Sequence, residues 1–201
     1  MHVGSGDDKK IWHLPEKLLK SNSTFFTAAL EGGFAEGISK NITLPDEDPD
    51  IFKCFVEWLY VGDQIAALGS VFLVWLWNLG DRLGCPLMQD DAICNIVLNY
   101  CNAHIEEITL KFIYEGSAPG SKLRRFAVDQ CLLHVRQPRE AWHNYEGCSY
   151  VHFVNDNEDF AQQLAEATIL LGNEKPKDPF DDPSPYLYAP SPAKSKTRSG
   201  S

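Results

Sequence analysis

His143, Cys148 and His152 come nearest to a metal centre in residue type and spacing, since imidazole and thiolate are ligands that zinc takes. Zinc sites ordinarily show one tight pair and then a second, and no fourth ligand stands near these three, so structural or surface roles account for them better. Gly116-Ser117-Ala118-Pro119-Gly120-Ser121-Lys122 carries the glycines and lysine of a phosphate-binding loop. Such a loop needs four residues between its glycines and Lys directly after the second, so that backbone N–H groups converge on phosphate. Here the spacing is three, Ser121 intervenes, and no apolar strand leads in. A turn and N-cap opening a helix at Lys122 fits better, with Lys122, Arg124 and Arg125 as a solvated basic face. Asp46-Glu47-Asp48 reads as a helix-start cluster rather than a catalytic pair, and His13, His104 and His134 lack the motif context of a nucleophile and its base. No catalytic residue, cofactor or metal is expected, and the chain does not read as an enzyme.

The elements around these residues belong to one domain with extensions: 201 residues are enough to bury a core of ordinary size. A formal charge of -10 disfavours direct binding to nucleic acid or to an anionic membrane surface. The richest apolar run, Val71–Leu79, is too short to cross a bilayer. Met1-His2-Val3 opens no basic and apolar leader, so no secretory signal is expected and the chain reads as intracellular, cytoplasmic or nuclear. Cys54, Cys85, Cys94, Cys101, Cys131 and Cys148 are then reduced thiols. The sequons at Asn22 and Asn41 are then chance matches.

In chain order, Val3–Asp8 reads as a hairpin turn with Lys10–Leu14 as its second strand, and Pro15–Leu19 as the next helix. Thr24–Leu30 is a short apolar helix, offered an N-cap by Ser21 or Ser23 and stopped at Gly32-Gly33, where the chain can turn left-handed. Ile42–Leu44 is a short strand. Asp48-Pro49 is an N-cap followed by a first helical position, and Ile51, Phe52, Phe55, Val56 and Leu59 form an apolar stripe behind it. After a loop at Gly62–Gly69, Ser70 caps a helix over Val71–Leu83, and Pro86 opens another over Leu87–Cys101, whose Leu87, Ala92, Ile93, Ile96 and Val97 could face it. Trp75 and Trp77 cannot both face one core, so one is expected at a surface, either an oligomer interface or a contact with the C-terminal extension. Ile105–Tyr114, Lys122–Val135 and Asn157–Leu171 are further helices, while Ser149–Phe153 reads as either a short strand or a loop. From Asn173 to Ser201 the proline- and serine-rich composition implies a disordered tail, with Tyr186-Leu187-Tyr188 as its one candidate binding motif.

The stretch from Thr24 to Asp63 carries a family resemblance. Ser21-x-Ser23-x-Phe25-Phe26, Ala28-Ala29-Leu30, Phe34-x-Glu36-Gly37, Ile42-x-Leu44-Pro45-Asp46-Glu47-Asp48-Pro49 and Phe52-x-x-Phe55-Val56-x-Trp58-Leu59-Tyr60 resemble the core of a BTB/POZ domain, in the form common in filamentous fungi. Weaker agreement runs from Val3 to about Asn102, including Leu83-Gly84-Cys85-Pro86-Leu87, and Ile113–Asp129 also resembles fungal members. The resemblance implies an α+β BTB/POZ fold over 1–102, a small three-stranded sheet flanked by a helix cluster, with a helical extension over 103–172 and the tail over 173–201. It implies a non-catalytic protein–protein interaction module that self-associates, as a homodimer for example, or binds protein partners. A longer strand precedes the first turn in that family than Met1-His2-Val3 supplies, which puts in doubt a dimer built by exchanging that segment and leaves the second strand's edge to be covered otherwise.

Family members that recruit a cullin scaffold carry an apolar-x-Glu motif at the place of Phe34-Ala35-Glu36. Phe34 would fill a pocket between partner helices and Glu36 would fix orientation at the rim. The alternative function is therefore a substrate adaptor of a cullin-type ubiquitin ligase, and the second alternative a transcription-associated scaffold. An adaptor needs a substrate-reading module, and 103–201 contains no recognised one.

Overall fold

The computed structural model of the chain describes residues 1–32, 35–101, 103–136 and 150–188. It is α+β and mostly helical. A three-stranded sheet of β1 (His2–Val3), β2 (Lys10–Ile11) and β3 (Thr43–Leu44) runs in the order β2-β1-β3. β1 pairs antiparallel with β2, His2 opposite Ile11, and parallel with β3, His2 opposite Thr43. The expected hairpin and strand are therefore present. The turn between β1 and β2 requires glycine at position 4: its φ is +82° and a Cβ there would meet Pro49 Cγ at 2.7 Å.

Helices α1 (Glu16–Asn22), α2 (Thr24–Glu31) and α3 (Ala35–Ser39) lie between β2 and β3 in the chain, and α4 (Pro49–Val61) follows β3. Ser23, not Ser21, caps α2, its Oγ accepting from Phe26 N at 3.1 Å and donating to Leu83 O at 2.5 Å. The cap thus also ties α2 to the end of a helix sixty positions along. Gly32 closes α2 in an extended conformation (φ -63°, ψ 150°), where the sequence suggested a left-handed turn. Asp48 caps α4 as its type predicts, Oδ1 accepting from Asp50 N at 2.7 Å and Ile51 N at 3.1 Å.

α5 (Ser70–Arg82) and α6 (Pro86–Asn99) form the antiparallel pair. Gly69, rather than Ser70, is the N-cap of α5, its carbonyl accepting from Leu73 N at 3.1 Å; Ser70 Oγ accepts from Asn99 across the pair. Leu87 is exposed, not turned to α5; Met88 takes that place, with Ala92, Ile93, Ile96 and Val97 buried as expected. The turn between them needs Gly84, at φ +59°, where a Cβ would strike Thr24 Oγ1.

α7 (Glu107–Gly116), α8 (Lys122–Arg136), α9 (Tyr150–Asp156) and α10 (Glu158–Leu171) complete the body. One apolar core runs from Val3 to Tyr186 without a break between the first hundred residues and the extension. Gln130 Nε2 donates to Tyr100 O at 2.8 Å, and Tyr100 lies against Phe126. The segment left open between strand and loop is the helix α9. Phe153, inside a cluster with Tyr114 and Phe160, outweighs the weak helix preference of its neighbours.

Two further expectations are overturned. Arg124 is buried, not part of a solvated face, because it closes the C-terminal end of α7: Nη2 donates to Tyr114 O at 2.8 Å and Ser117 O at 2.5 Å. Residues 173–188, expected to be disordered, lie across α8 and α6. Tyr186 is buried, donates to Asp129 Oδ2 at 2.9 Å and meets Phe126 edge-on, while Tyr188 N donates to Asp90 Oδ1 at 2.6 Å. The aromatic side chains supply the apolar burial that proline-rich composition alone would not. The part of the tail over 189–201 lies outside the described residues.

Candidate interaction surface

Two alternating residues carry the chain out of the sheet. Trp12 and Leu14 turn inward at period two, while Ile11 and His13 stay exposed. Trp12 N donates to Met1 O at 2.9 Å, which holds this turn in register, and the Trp12 ring lies 5.8 Å from Phe52. Inward-facing Trp12 and Leu14, Leu30 from α2, Ile42 before β3 and Tyr60 from the last turn of α4 surround a groove of about 440 Å³. Glu16 and Lys40 stand at its polar edge, and Lys40 Nζ donates to Leu30 O at 3.1 Å and Glu16 Oε1 at 3.3 Å. Lys20, beside them, pairs with Glu31 at 2.6 Å, and that hydrogen bond raises its ammonium pKa above the ordinary value. The Trp12 Nε1 donor is buried and meets no acceptor among the described residues.

α3 adjoins this groove through Lys40, whose N donates to Glu36 O at 2.8 Å. Glu36 is exposed on the first turn of α3. Ile38, two residues on, is 81 % exposed. Phe34 lies outside the described residues. The combination of an apolar groove with a polar edge, next to a short helix presenting an apolar side chain and a carboxylate, can seat a partner's side chains and be seated in return.

The tryptophans separate. Trp77 is fully buried, its ring 6.4 Å from Tyr188, so it is not a surface residue of this chain. Trp75 is half-buried and packs edge-on against Phe112 of α7, in the C-terminal extension, at 5.0 Å. The remaining sequence candidates do not converge. His143 and Cys148 lie outside the described residues and His152 is exposed. No group of three metal-ligating side chains occurs among the described residues. Cys54, Cys85, Cys94, Cys101 and Cys131 join no disulfide, and burial pushes the Cys85 thiol up to about 11. The Gly116–Lys122 loop is the turn and cap the spacing suggested, with Arg124 N donating to Ser121 Oγ at 3.3 Å. No described helix is long and apolar enough to cross a membrane.

Sequence reasoning singled out Glu36 but missed the groove. The alternation Trp12-x-Leu14 was the available signal; that Leu30, Ile42 and Tyr60 would close around it is a long-range fact. Compared with protein-family models, curated proteins and solved structures, the chain matches none.

Proposed function

We propose that this chain is a non-catalytic protein–protein interaction module of the BTB/POZ type, binding a second copy of itself or a protein partner through the groove and α3. The observation that carries this reading is the exposed Ile38 beside an apolar groove of about 440 Å³. An exposed large apolar side chain near an apolar groove adds to the apolar surface that a partner can cover. The small sheet, with its parallel β1–β3 pair and the helices α1–α6 behind it, is compatible with the fold that the sequence resemblance implies. The exposed Glu36 on α3 favours one narrower reading, an adaptor that docks on a cullin scaffold.

Light scattering tests both. The purified chain is measured alone and mixed with the N-terminal domain of a cullin, as wild type, Ile38→Asp and Phe34→Ala. A dimeric mass that falls to monomer with Ile38→Asp supports self-association. A cullin complex weakened by about 2 kcal/mol or more in Phe34→Ala, the scale of an interface hot spot, supports the adaptor reading. A chain that stays monomeric and takes up no cullin domain at tens of micromolar refutes both.

A further inference from the structure

A second cleft, of about 290 Å³, opens on another part of the molecule and shares no lining residue with the groove. Its rim comes from the loop before α4 (Asp46, Glu47, Asp48) and from Glu115 near the end of α7; Arg82 of α5 is the one cation among the lining residues. Arg82 is already spent, donating from Nε to Glu47 Oε1 at 2.7 Å and from Nη2 to Glu47 Oε2 at 2.6 Å. Four carboxylates thus face one guanidinium, and that guanidinium satisfies only one of them. Asp48 gives Oδ1 to its helix cap, and Glu115 meets Lys111 only at 3.8 Å. Trp75 and Phe112 supply an aromatic wall, with Phe72 edge-on to Trp75 at 5.3 Å behind it.

Asn78 marks the cleft as built to receive something. It is 4 % exposed, lines the cleft, and its Oδ1 is buried with no hydrogen-bond partner among the described residues. Buried amide oxygens are ordinarily paired, and each exception asks for an explanation. Gly116 makes room for this amide: a Cβ at position 116 would strike Asn78 Nδ2.

We propose that this cleft binds an arginine side chain presented by a basic segment of a partner protein. The planar guanidinium stacks on the Trp75 face, donates to Asn78 Oδ1, and sets its remaining donors toward Asp46 and Glu115. Arginine fits better than lysine because the site offers acceptors on several sides of an aromatic plane, which a fork of five donors matches and a single ammonium does not. The charge is complementary, and the volume suits one side chain rather than a larger ligand. The inference stands apart from the groove reading, so either can fail alone.

The test is a titration of the full-length chain with N-acetyl-Gly-Arg-Gly-amide, followed by the side-chain amide signal of Asn78 and the indole signal of Trp75 in NMR spectra. The citrulline analogue, equal in shape but neutral, is the control. Saturable shifts of both signals with the arginine peptide, at least tenfold weaker with citrulline, are expected. Asp46→Asn, at an exposed position with no fold to disturb, should weaken binding several-fold, and Asn78→Leu about tenfold. Equal response to citrulline, or unchanged affinity in both variants, overturns the proposal. Binding that appears only after 189–201 is removed overturns the partner assignment in favour of this chain's own Lys194, Lys196 and Arg198.

Discussion

Replacing Arg124 with methionine should cost far more than an ordinary charged-to-apolar change, because the guanidinium completes a helix end rather than a surface ion pair. Its Nη2 serves the carbonyls of Tyr114 and Ser117, its Nε reaches Ser117 Oγ at 3.3 Å, and its Nη1 meets Asp159. The cation also lies 4.5 Å from the Tyr114 ring centre. Methionine fills most of the volume but leaves two buried carbonyls without a donor, at about 1–3 kcal/mol each. The Asp159 side chain is 48 % exposed and can rehydrate, so its share is under about 1 kcal/mol. Together the loss should be about 3–5 kcal/mol, the range for breaking a buried charged network by removing one partner. Urea denaturation followed by circular dichroism measures it, alongside Arg124→Lys and Asp159→Asn. Lysine should lose an intermediate amount, having one head group for carbonyls on two residues and the Asp159 carboxylate. Hydrogen exchange should show the last turn of α7 opening first in Arg124→Met. A loss below about 1 kcal/mol in Arg124→Met, or one equal to that of Asp159→Asn, would refute the assignment of the energy to the carbonyls.

Two further outcomes follow from the same structure. Ser23→Ala removes an N-cap acceptor and the donor to Leu83 O at once, and should lower stability by about 1–2 kcal/mol in the same denaturation assay; an unchanged midpoint would show that the cap is dispensable. His104 and His134 lie with ring centres 4.3 Å apart, and burial first, then for His104 its neighbour's charge, lowers both, His104 to about 4 from 6.5, while Asp178 opposes the shift at His134. The unfolded chain therefore takes up protons first, so this contribution is full above pH 6.5 and is lost as the pH falls from 6.5 towards 4. Urea midpoints measured across that window should fall in the wild type and fall less in His104→Gln; parallel curves would mean the pair does not couple to folding.

What the sequence determined by itself is local. Asp48-Pro49 and the stripe behind it specify α4, Gly4 and Gly84 specify turns, and Thr43-Leu44 a strand, because caps, backbone freedom and periodicity act within a few residues. The sequence did not indicate α3, although it singled out Glu36, which is exposed on it. What only the tertiary structure decided depends on which distant surfaces meet. Composition placed Arg124 in water, but the carbonyls at the end of α7 draw it inside. Proline content placed 173–188 in disorder, but Phe126, Asp129 and Asp90 give Tyr186 and the backbone of Tyr188 partners that offset the cost of ordering the chain. Trp75 and Trp77 differ by two positions in sequence, yet one is half-buried against Phe112 of α7 and the core encloses the other. Asn78 looks unremarkable in a run of apolar residues, and only the convergence of Trp75, Phe112 and four carboxylates around it makes its unpaired oxygen informative. Local propensity fixes elements; burial and hydrogen-bond satisfaction between elements far apart in the chain fix sites.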